Sequence, residues 1–150
     1  MNFRFVWVGK TKNRSYLALQ DDYLQRLSHF VKCELVEVKD SLPHETKEIE
    51  GERILGKLNQ SPFVLLLDVK GRTLSSGELA KEVENWQNRG IKEVSFVIGG
   101  ANGVSSAVVE KADNSLSLSI LTFTHEMARV VLLEQLYRAF TIIRGFPYQK

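Results

Sequence analysis

Cysteine is nearly absent from this chain of 150 residues, and its scarcity excludes two kinds of site. Cys33 is the only cysteine, so the chain can form neither an internal disulfide nor a cysteine-rich zinc site. A single free thiol is usually a small buried side chain. We therefore predict that Cys33 packs in the core on a strand and is not a nucleophile. His29 and His44 lie in other sequence contexts than His125, so no metal site is predicted.

Long hydrophobic runs are missing as well. No apolar stretch approaches the roughly 20 residues that a helix needs to span a bilayer. The amino-terminal stretch MNFRFVWVGK lacks the charged, apolar and small-residue regions of a signal peptide. We therefore expect a cytoplasmic protein without a membrane partner.

Basic residues are in only slight excess over acidic residues, which gives a formal net charge of +2. A protein that coats DNA without sequence specificity is usually far more basic, so DNA is not an expected partner. RNA binding is compatible with this charge if basic side chains are concentrated locally. Turn-like and terminal stretches offer such side chains at Lys10, Lys12, Arg14, Arg144 and Lys150.

The hydrophobic content of 43% is sufficient for a single well-packed domain, which we place at residues 1–150. Apolar periodicity predicts strands that alternate with helices. The predicted strands are 2–8, 33–39, 63–67, 94–98 and 116–120, and the predicted helices are 15–30, 45–59, 75–89, 105–112 and 125–140. A loop is predicted at 68–72. This alternation is typical of an α/β domain with a mostly parallel sheet and flanking helices.

The stretch from residue 115 to residue 140 joins an alternating apolar run to a long apolar helix through a short polar loop. Leu116, Leu118 and Ile120 alternate with serines, which is the periodicity of a strand. Thr124 is a plausible N-cap for the helix. The apolar residues of this helix cover more than one of its faces, so we expect burial in the core and in a partner chain.

Several polar residues follow the predicted strands, at the edge where open α/β sheets bind ligands. The sequence GGANG at residues 99–103 would let backbone amides approach a ligand, although it could instead form only a tight turn. His125, at a helix start, is either a neutral base or a local hydrogen-bonding residue. Asp68 could orient a ligand or cap the next turn. Arg129 and Arg138 could bind phosphate, or pair with Glu126 and Glu134.

Four motifs together resemble a known family along the chain from the first strand to Tyr148. They are VSFVIGGANG (94–103), SLSLSILTFT (115–124) followed by His125, ARVVLLEQLYRAF (128–140), and the terminal Phe146, Pro147 and Tyr148. In this order they closely resemble the RlmH family, bacterial pseudouridine N3-methyltransferases of 23S rRNA in the SPOUT, trefoil-knot class. The resemblance implies a homodimer with a C-terminal trefoil knot, acting on 23S rRNA in the assembled large subunit or ribosome.

The resemblance also implies S-adenosylmethionine as the cofactor and assigns residues to its site. The implied cofactor-binding residues are Leu67, Gly100, Ser119, Ile120, Leu121, Thr122, Phe123 and Thr124. For the reaction, Arg138 and Arg129 would hold the substrate anion or its phosphates. His125 would act as a base or positioning group, and Tyr148 would close the pocket.

Three positions depart from the family pattern. Thr124 stands where proline is usual, Asn102 where an acidic residue is usual, and Gln149 where a histidine is usual. The first two substitutions are expected to change loop shape, whereas Gln149 cannot hold a proton as imidazole does.

The sequence leaves two alternative functions open. A Rossmann-like nucleotide-binding module would rest on GGANG alone, without the acidic residue about 20 positions beyond an early glycine loop. The other alternative is a noncatalytic protein that binds ribosomal RNA.

Overall fold

The structure is a computed structural model that describes residues 1–58 and 60–148. Its strands are β1 (Asn2–Val8), β2 (Lys32–Val38), β3 (Val64–Thr73), β4 (Glu93–Ile98) and β5 (Asn114–Ser117). Its helices are α1 (Arg14–Leu27), α2 (Lys47–Leu58), α3 (Ser76–Asn88), α4 (Ser106–Lys111) and α5 (His125–Arg144). The strands pair in the order β2-β1-β4-β3-β5, and every pairing is parallel. The predicted α/β class with a parallel sheet and flanking helices is therefore confirmed.

The apolar side chains of β1 point to opposite faces of the sheet in turn, so this central strand supplies two cores. Phe3, Phe5 and Trp7 lie in a large core with side chains from α1, α3 and α5. Val6 and Val8 lie in a smaller core with side chains from α2 and α4. The sheet is thus covered by three helices on one face and by two on the other.

Local capping follows the predicted motifs. The Ser75 hydroxyl accepts the Glu78 N–H at 3.1 Å, and the Glu78 carboxylate accepts the Ser75 N–H at 2.7 Å, which completes a capping box. Thr124 caps α5 by accepting the Met127 N–H at 3.3 Å. Gly90 follows α3 with a φ of 71°, a left-handed conformation that favours glycine.

The predicted strand 116–120 is wrong beyond Ser117. The Ser117 hydroxyl donates to the Ser119 carbonyl at 2.9 Å, and the Leu121 N–H donates to the Ser119 hydroxyl at 3.0 Å. These local bonds form a turn in place of a strand ladder, because serine hydroxyls compete for backbone groups. Ile120, which alternation placed on a buried strand face, is 85% exposed.

The predicted loop at 68–72 is also wrong, because β3 continues through it to Thr73. Leu116 of β5 pairs with Leu67 and again with Arg72, with a register shift between the two pairings. Residues 68–71 therefore bulge out of the ladder while the chain on both sides stays paired with β5. Gly71 lies directly against the backbone of Ser115 and Leu116 beside this register shift.

Helix α5 is covered mainly by its own chain. It packs between α1 and α3, and its large apolar side chains Leu132, Leu133, Leu136 and Phe140 are buried. The apolar excess that suggested a partner chain is therefore largely accounted for within one molecule.

Cys33 lies on β2, half-buried against the large core, as predicted. Burial raises the pKa of its thiol to about 12, so the nucleophilic thiolate is scarce at neutral pH.

None of the described helices is both long and apolar enough to cross a membrane. Residues 1–58 and 60–148 contain no group of three or more histidine, cysteine, aspartate or glutamate residues placed to hold a metal ion.

Candidate functional site

A cavity of about 240 Å³, which we call the sheet-edge cavity, opens at the carboxyl ends of β3, β4 and β5. These strands are neighbours in the sheet, so the loops that follow them meet at one edge. Leu67, Ile98 and Leu116 supply apolar walls. The loops add Asp68, Val69, Gly99, Gly100, Gly103, Val104, Leu118, Ser119, Leu121, Thr122 and Phe123, and α5 adds His125 and Ala128.

Most of the residues predicted to bind a cofactor line the sheet-edge cavity. They are Leu67, Gly100, Ser119, Leu121, Thr122 and Phe123. Ile120 points away from its lining and is largely exposed, and Thr124 is the N-cap of α5. The structure therefore brings together three loops that are far apart in sequence.

A buried carboxylate, Glu50, holds the glycine loop at 99–103. Glu50 is 3% exposed, and one of its oxygens accepts the Gly100 N–H at 3.0 Å. The other oxygen accepts the Ser41 hydroxyl at 2.8 Å. A Cβ at position 100 would lie 2.7 Å from the Glu50 carboxylate, so a larger residue there would displace the carboxylate from this position. The glycine loop is a tight turn, with Gly103 at a φ of 82°, and it also lines the sheet-edge cavity.

Glu50 was not identified from the sequence, although the pattern contained a signal. Glu50, Ile54 and Leu58 are all buried on α2 and are spaced four residues apart, which places them on one helical stripe. A carboxylate on an apolar stripe requires buried donors, and its spacing along α2 gives no information on which distant loop supplies them.

A second cavity of about 250 Å³, which we call the basic cavity, adjoins the first and shares Gly100 and His125 with it. Its other lining residues are Val8, Lys10, Lys12, Asp40, Ser41, Glu50, Ala101, Asn102, Glu126 and Arg129. His125 is exposed at the first turn of α5 and lies between the two cavities.

Arg129 ties α5 to the carboxyl end of β1. It is 2% exposed, and its guanidinium donates to the Thr11 hydroxyl at 2.9 Å and to the Val8 carbonyl at 2.5 Å. Its charge lies 5.0 Å from the centre of the Trp7 ring. Burial lowers the pKa of the guanidinium, an effect opposed by nearby carboxylates, of which Glu126 contributes most.

The predicted pairing of Arg129 with Glu126 is not found. The Glu126 carboxylate instead accepts the backbone N–H groups of Lys12 and Asn13 at 3.1 and 2.9 Å. Among the six ion pairs of the described chain, none includes Arg129.

Arg138 and Tyr148 form a separate cluster near the other end of α5. Arg138 pairs with Glu134, as one interpretation of the sequence predicted, and donates from Nε at 3.0 Å. The Tyr148 hydroxyl donates to Glu134 at 3.1 Å and lies 3.2 Å from the Tyr23 hydroxyl. The Glu134 carboxylate raises the pKa of Arg138, and burial raises that of Tyr148.

This cluster is remote from His125 in one molecule. Arg138 lies thirteen positions after His125 along the helix, a rise of roughly 20 Å. Within the part of the chain that the structure describes, neither Arg138 nor Tyr148 lines the sheet-edge or the basic cavity. The structure therefore joins His125 and Arg129 to the cavities and leaves the other two predicted catalytic residues apart. Gln149 lies outside the described residues.

The chain matches a family model described as "Predicted SPOUT methyltransferase" over residues 1–149. A relative from Flavobacterium johnsoniae is 43% identical over 154 residues, which cover 99% of this chain and 98% of that protein. A relative from Enterococcus faecalis is 39% identical over 159 residues, covering all of both chains. Both relatives are named "Ribosomal RNA large subunit methyltransferase H".

Solved structures resemble the chain in fold. A probable methylase family protein from Haemophilus influenzae Rd KW20 aligns with a TM-score of 0.62 at 14% identity, covering 99% of this chain and 70% of that chain. A probable methyltransferase from Bordetella pertussis Tohama I aligns with a TM-score of 0.61 at 14% identity, covering 92% of this chain and 95% of that chain.

Proposed function

Because this chain belongs to the SPOUT methyltransferase family, we propose that it transfers a methyl group from S-adenosylmethionine to the RNA of the large ribosomal subunit. The target proposed within that RNA is N3 of a pseudouridine in 23S rRNA, as the resemblance to the RlmH family implies. The observation that carries the proposal is the sheet-edge cavity, where six residues predicted for cofactor binding come together. A cytoplasmic location follows from the proposed substrate.

The residues of the sheet-edge cavity fit the proposed cofactor. Leu67, Ile98 and Leu116 offer apolar contact to a flat ring, and the glycine loop leaves room for close approach to the backbone. When bound, S-adenosylmethionine supplies a methyl group on a positively charged sulfur. The chain has to hold that group beside the substrate and keep the two aligned.

We expect S-adenosylhomocysteine, the demethylated product, to stabilise the protein against thermal unfolding, whereas NAD does not. A ligand at about 100 times its Kd stabilises the native state by about 2.7 kcal/mol. Thermal-shift titrations with both compounds measure the difference. Stabilisation by NAD alone would instead favour the nucleotide-binding module.

Glu50→Ala is expected to weaken the binding of S-adenosylhomocysteine roughly 10- to 100-fold, because the glycine loop loses the bond that holds it and the cofactor has to order the loop on binding. The lost bond is to a charged group and contributes about 1.5–3 kcal/mol. Glu50→Gln should lose less, since its amide oxygen can still accept the Gly100 N–H. Titration calorimetry measures both affinities.

Glu52→Ala is the matched control for Glu50→Ala, because Glu52 lies on the same helix and is exposed. A folded Glu50→Ala variant that binds S-adenosylhomocysteine as tightly as Glu52→Ala would remove Glu50 from the cofactor site.

The proposed reaction requires loss of the proton on N3 and stabilisation of negative charge on the flanking carbonyl oxygens. His125, between the two cavities, is placed to accept that proton or to position the base. Arg138 is proposed to hold the substrate anion and Tyr148 to close the pocket. Arg129 lines the basic cavity and contributes a fixed positive charge, because its side chain is buried and hydrogen-bonded.

We also propose that the protein acts as a homodimer. His125 and Arg138 of one chain are separated along α5 by roughly 20 Å, too far for both to contact one base. A second copy related by a twofold axis can supply Arg138 and Tyr148 to the His125 of the first, which completes two equivalent sites.

We propose the trefoil knot because the resemblance to the RlmH family implies it. The double pairing of Leu116 with Leu67 and Arg72 supports a crossing in which β5 runs through the bulge formed by residues 68–71. The close contact of Gly71 with the β5 backbone supports the same arrangement.

We propose that the substrate is an assembled large subunit or ribosome, whose phosphates position the enzyme while the target base enters the site. We expect intact large subunits to be methylated far faster than a short naked hairpin of the same sequence. Methyl incorporation measured side by side tests this, and equal rates would contradict it.

A further inference from the structure

Two cations of the basic cavity form no direct ion pair in the described chain. Arg129 and Lys10 both line it, and neither is within ion-pair distance of a carboxylate. Arg129 is 2% exposed, and its Nε has no hydrogen-bond partner among residues 1–58 and 60–148. A buried N–H donor without an acceptor is costly, so the Nε of Arg129 favours a ligand with an acceptor oxygen in the cavity.

The carboxylates of the same cavity are already engaged. Glu50 accepts hydrogen bonds from Gly100 and Ser41, and Glu126 accepts two from backbone N–H groups. Asp40 pairs with Lys12 at 3.8 Å. The carboxylate oxygens are therefore engaged, whereas the Nε of Arg129 and the ammonium of Lys10 remain as donors for a ligand.

We propose that the basic cavity binds a phosphodiester group of the RNA next to the target nucleotide. This inference rests on the proposed function, because the cavity shares Gly100 and His125 with the sheet-edge cavity and so adjoins the methyl donor. A phosphate fits better than a base. Apart from the His125 imidazole, no aromatic ring among the described residues lines the cavity, and single-stranded bases are usually held by stacking on aromatic faces.

Lys10 is the residue to test, because replacing Arg129 would also remove its bonds to Val8 and Thr11. Lys10 is exposed. We expect Lys10→Ala to weaken equilibrium binding of large subunits roughly tenfold, as for the loss of a bond to a charged group. The slope of log affinity against log salt should fall by about one, as for the loss of one phosphate contact. Lys10→Arg should restore both.

Lys81→Ala is the matched control, since Lys81 is exposed on α3 and does not line the cavity. A Lys10→Ala variant with the binding and salt slope of Lys81→Ala overturns the proposal. The cofactor carboxylate is the other possible anion. If Lys10→Ala loses affinity for S-adenosylhomocysteine but keeps it for 5′-methylthioadenosine, which lacks that carboxylate, and binds large subunits normally, the RNA assignment is overturned.

The binding measurement needs no methyl transfer. Failure of the wild-type protein to methylate large subunits contradicts the proposed function, whereas unchanged RNA binding by Lys10→Ala contradicts only the phosphate site.

Discussion

A mixture of His125→Ala and Arg138→Ala protomers is expected to regain methyl transfer that neither variant has alone. Each single variant should lose roughly 100-fold or more in rate, the usual contribution of an acid–base or charge-stabilising group. In a mixed dimer one of the two sites combines an intact His125 from one chain with an intact Arg138 from the other. With random pairing the mixture should reach about a quarter of the wild-type rate.

Coexpression of the two variants gives the randomly paired mixture, and purification through two different affinity tags isolates the mixed dimer, which should reach about half of the wild-type rate because one of its two sites is intact. The rate of methyl transfer to large subunits is the measurement. The matched control is a mixed dimer in which one protomer carries Arg138→Ala and the other carries Tyr148→Ala. Both residues belong to the same half of the proposed site, so neither site of that dimer is intact and no activity should return. A His125→Ala and Arg138→Ala dimer that stays as inactive as its parents would contradict a site shared between chains.

Gly71→Ala is expected to cause a large loss of stability, because the glycine lies against the backbone of a neighbouring strand. An added Cβ would lie 2.7 Å from the Ser115 carbonyl carbon, 2.8 Å from the Leu116 nitrogen and 2.9 Å from the Leu116 carbonyl carbon. These atoms are backbone atoms of β5 and cannot rotate away as a side chain can. We expect a loss of about 3 kcal/mol in the free energy of unfolding, at the upper end for overpacking.

Gly56→Ala is the matched control for Gly71→Ala. Gly56 lies in α2, where an added Cβ would meet nothing within 4 Å. Alanine should therefore raise stability by about 0.5–1 kcal/mol through its helix propensity. Urea titration of both variants measures the two changes. Equal stabilities would show that β3 and β5 can move apart at Gly71 without a loss in the free energy of unfolding.

The sequence predicted best those features of the fold that depend on residues adjacent in the chain. Capping by Ser75 and Thr124 and the end of α3 at Gly90 were all predicted, because these motifs span only a few positions. The strand that alternation extended to Ile120 ended at Ser117, since two serine hydroxyls bond locally there. Periodicity cannot show whether serine hydroxyls bond locally or the backbone continues to pair with a neighbouring strand.

The contacts that build the candidate site are mostly long-range. The bond from Gly100 to Glu50 and the bonds from Arg129 to Thr11 and Val8 join distant parts of the chain. No spacing rule within one helix or strand indicates them. The cofactor residues were assigned by resemblance to the RlmH family, and the cavity brings most of them together. Composition alone would not have selected them.

The central claim is methyl transfer to N3 of a pseudouridine, and it can be measured directly. Large subunits that lack this modification are incubated with the protein and S-adenosylmethionine labelled in the methyl group, and the labelled nucleoside of 23S rRNA is identified by mass spectrometry. The proposed function predicts label on N3 of a single pseudouridine, with none when Glu50→Ala and His125→Ala are combined in one chain. Label on another nucleoside, or no label despite binding of S-adenosylhomocysteine and large subunits, would contradict it.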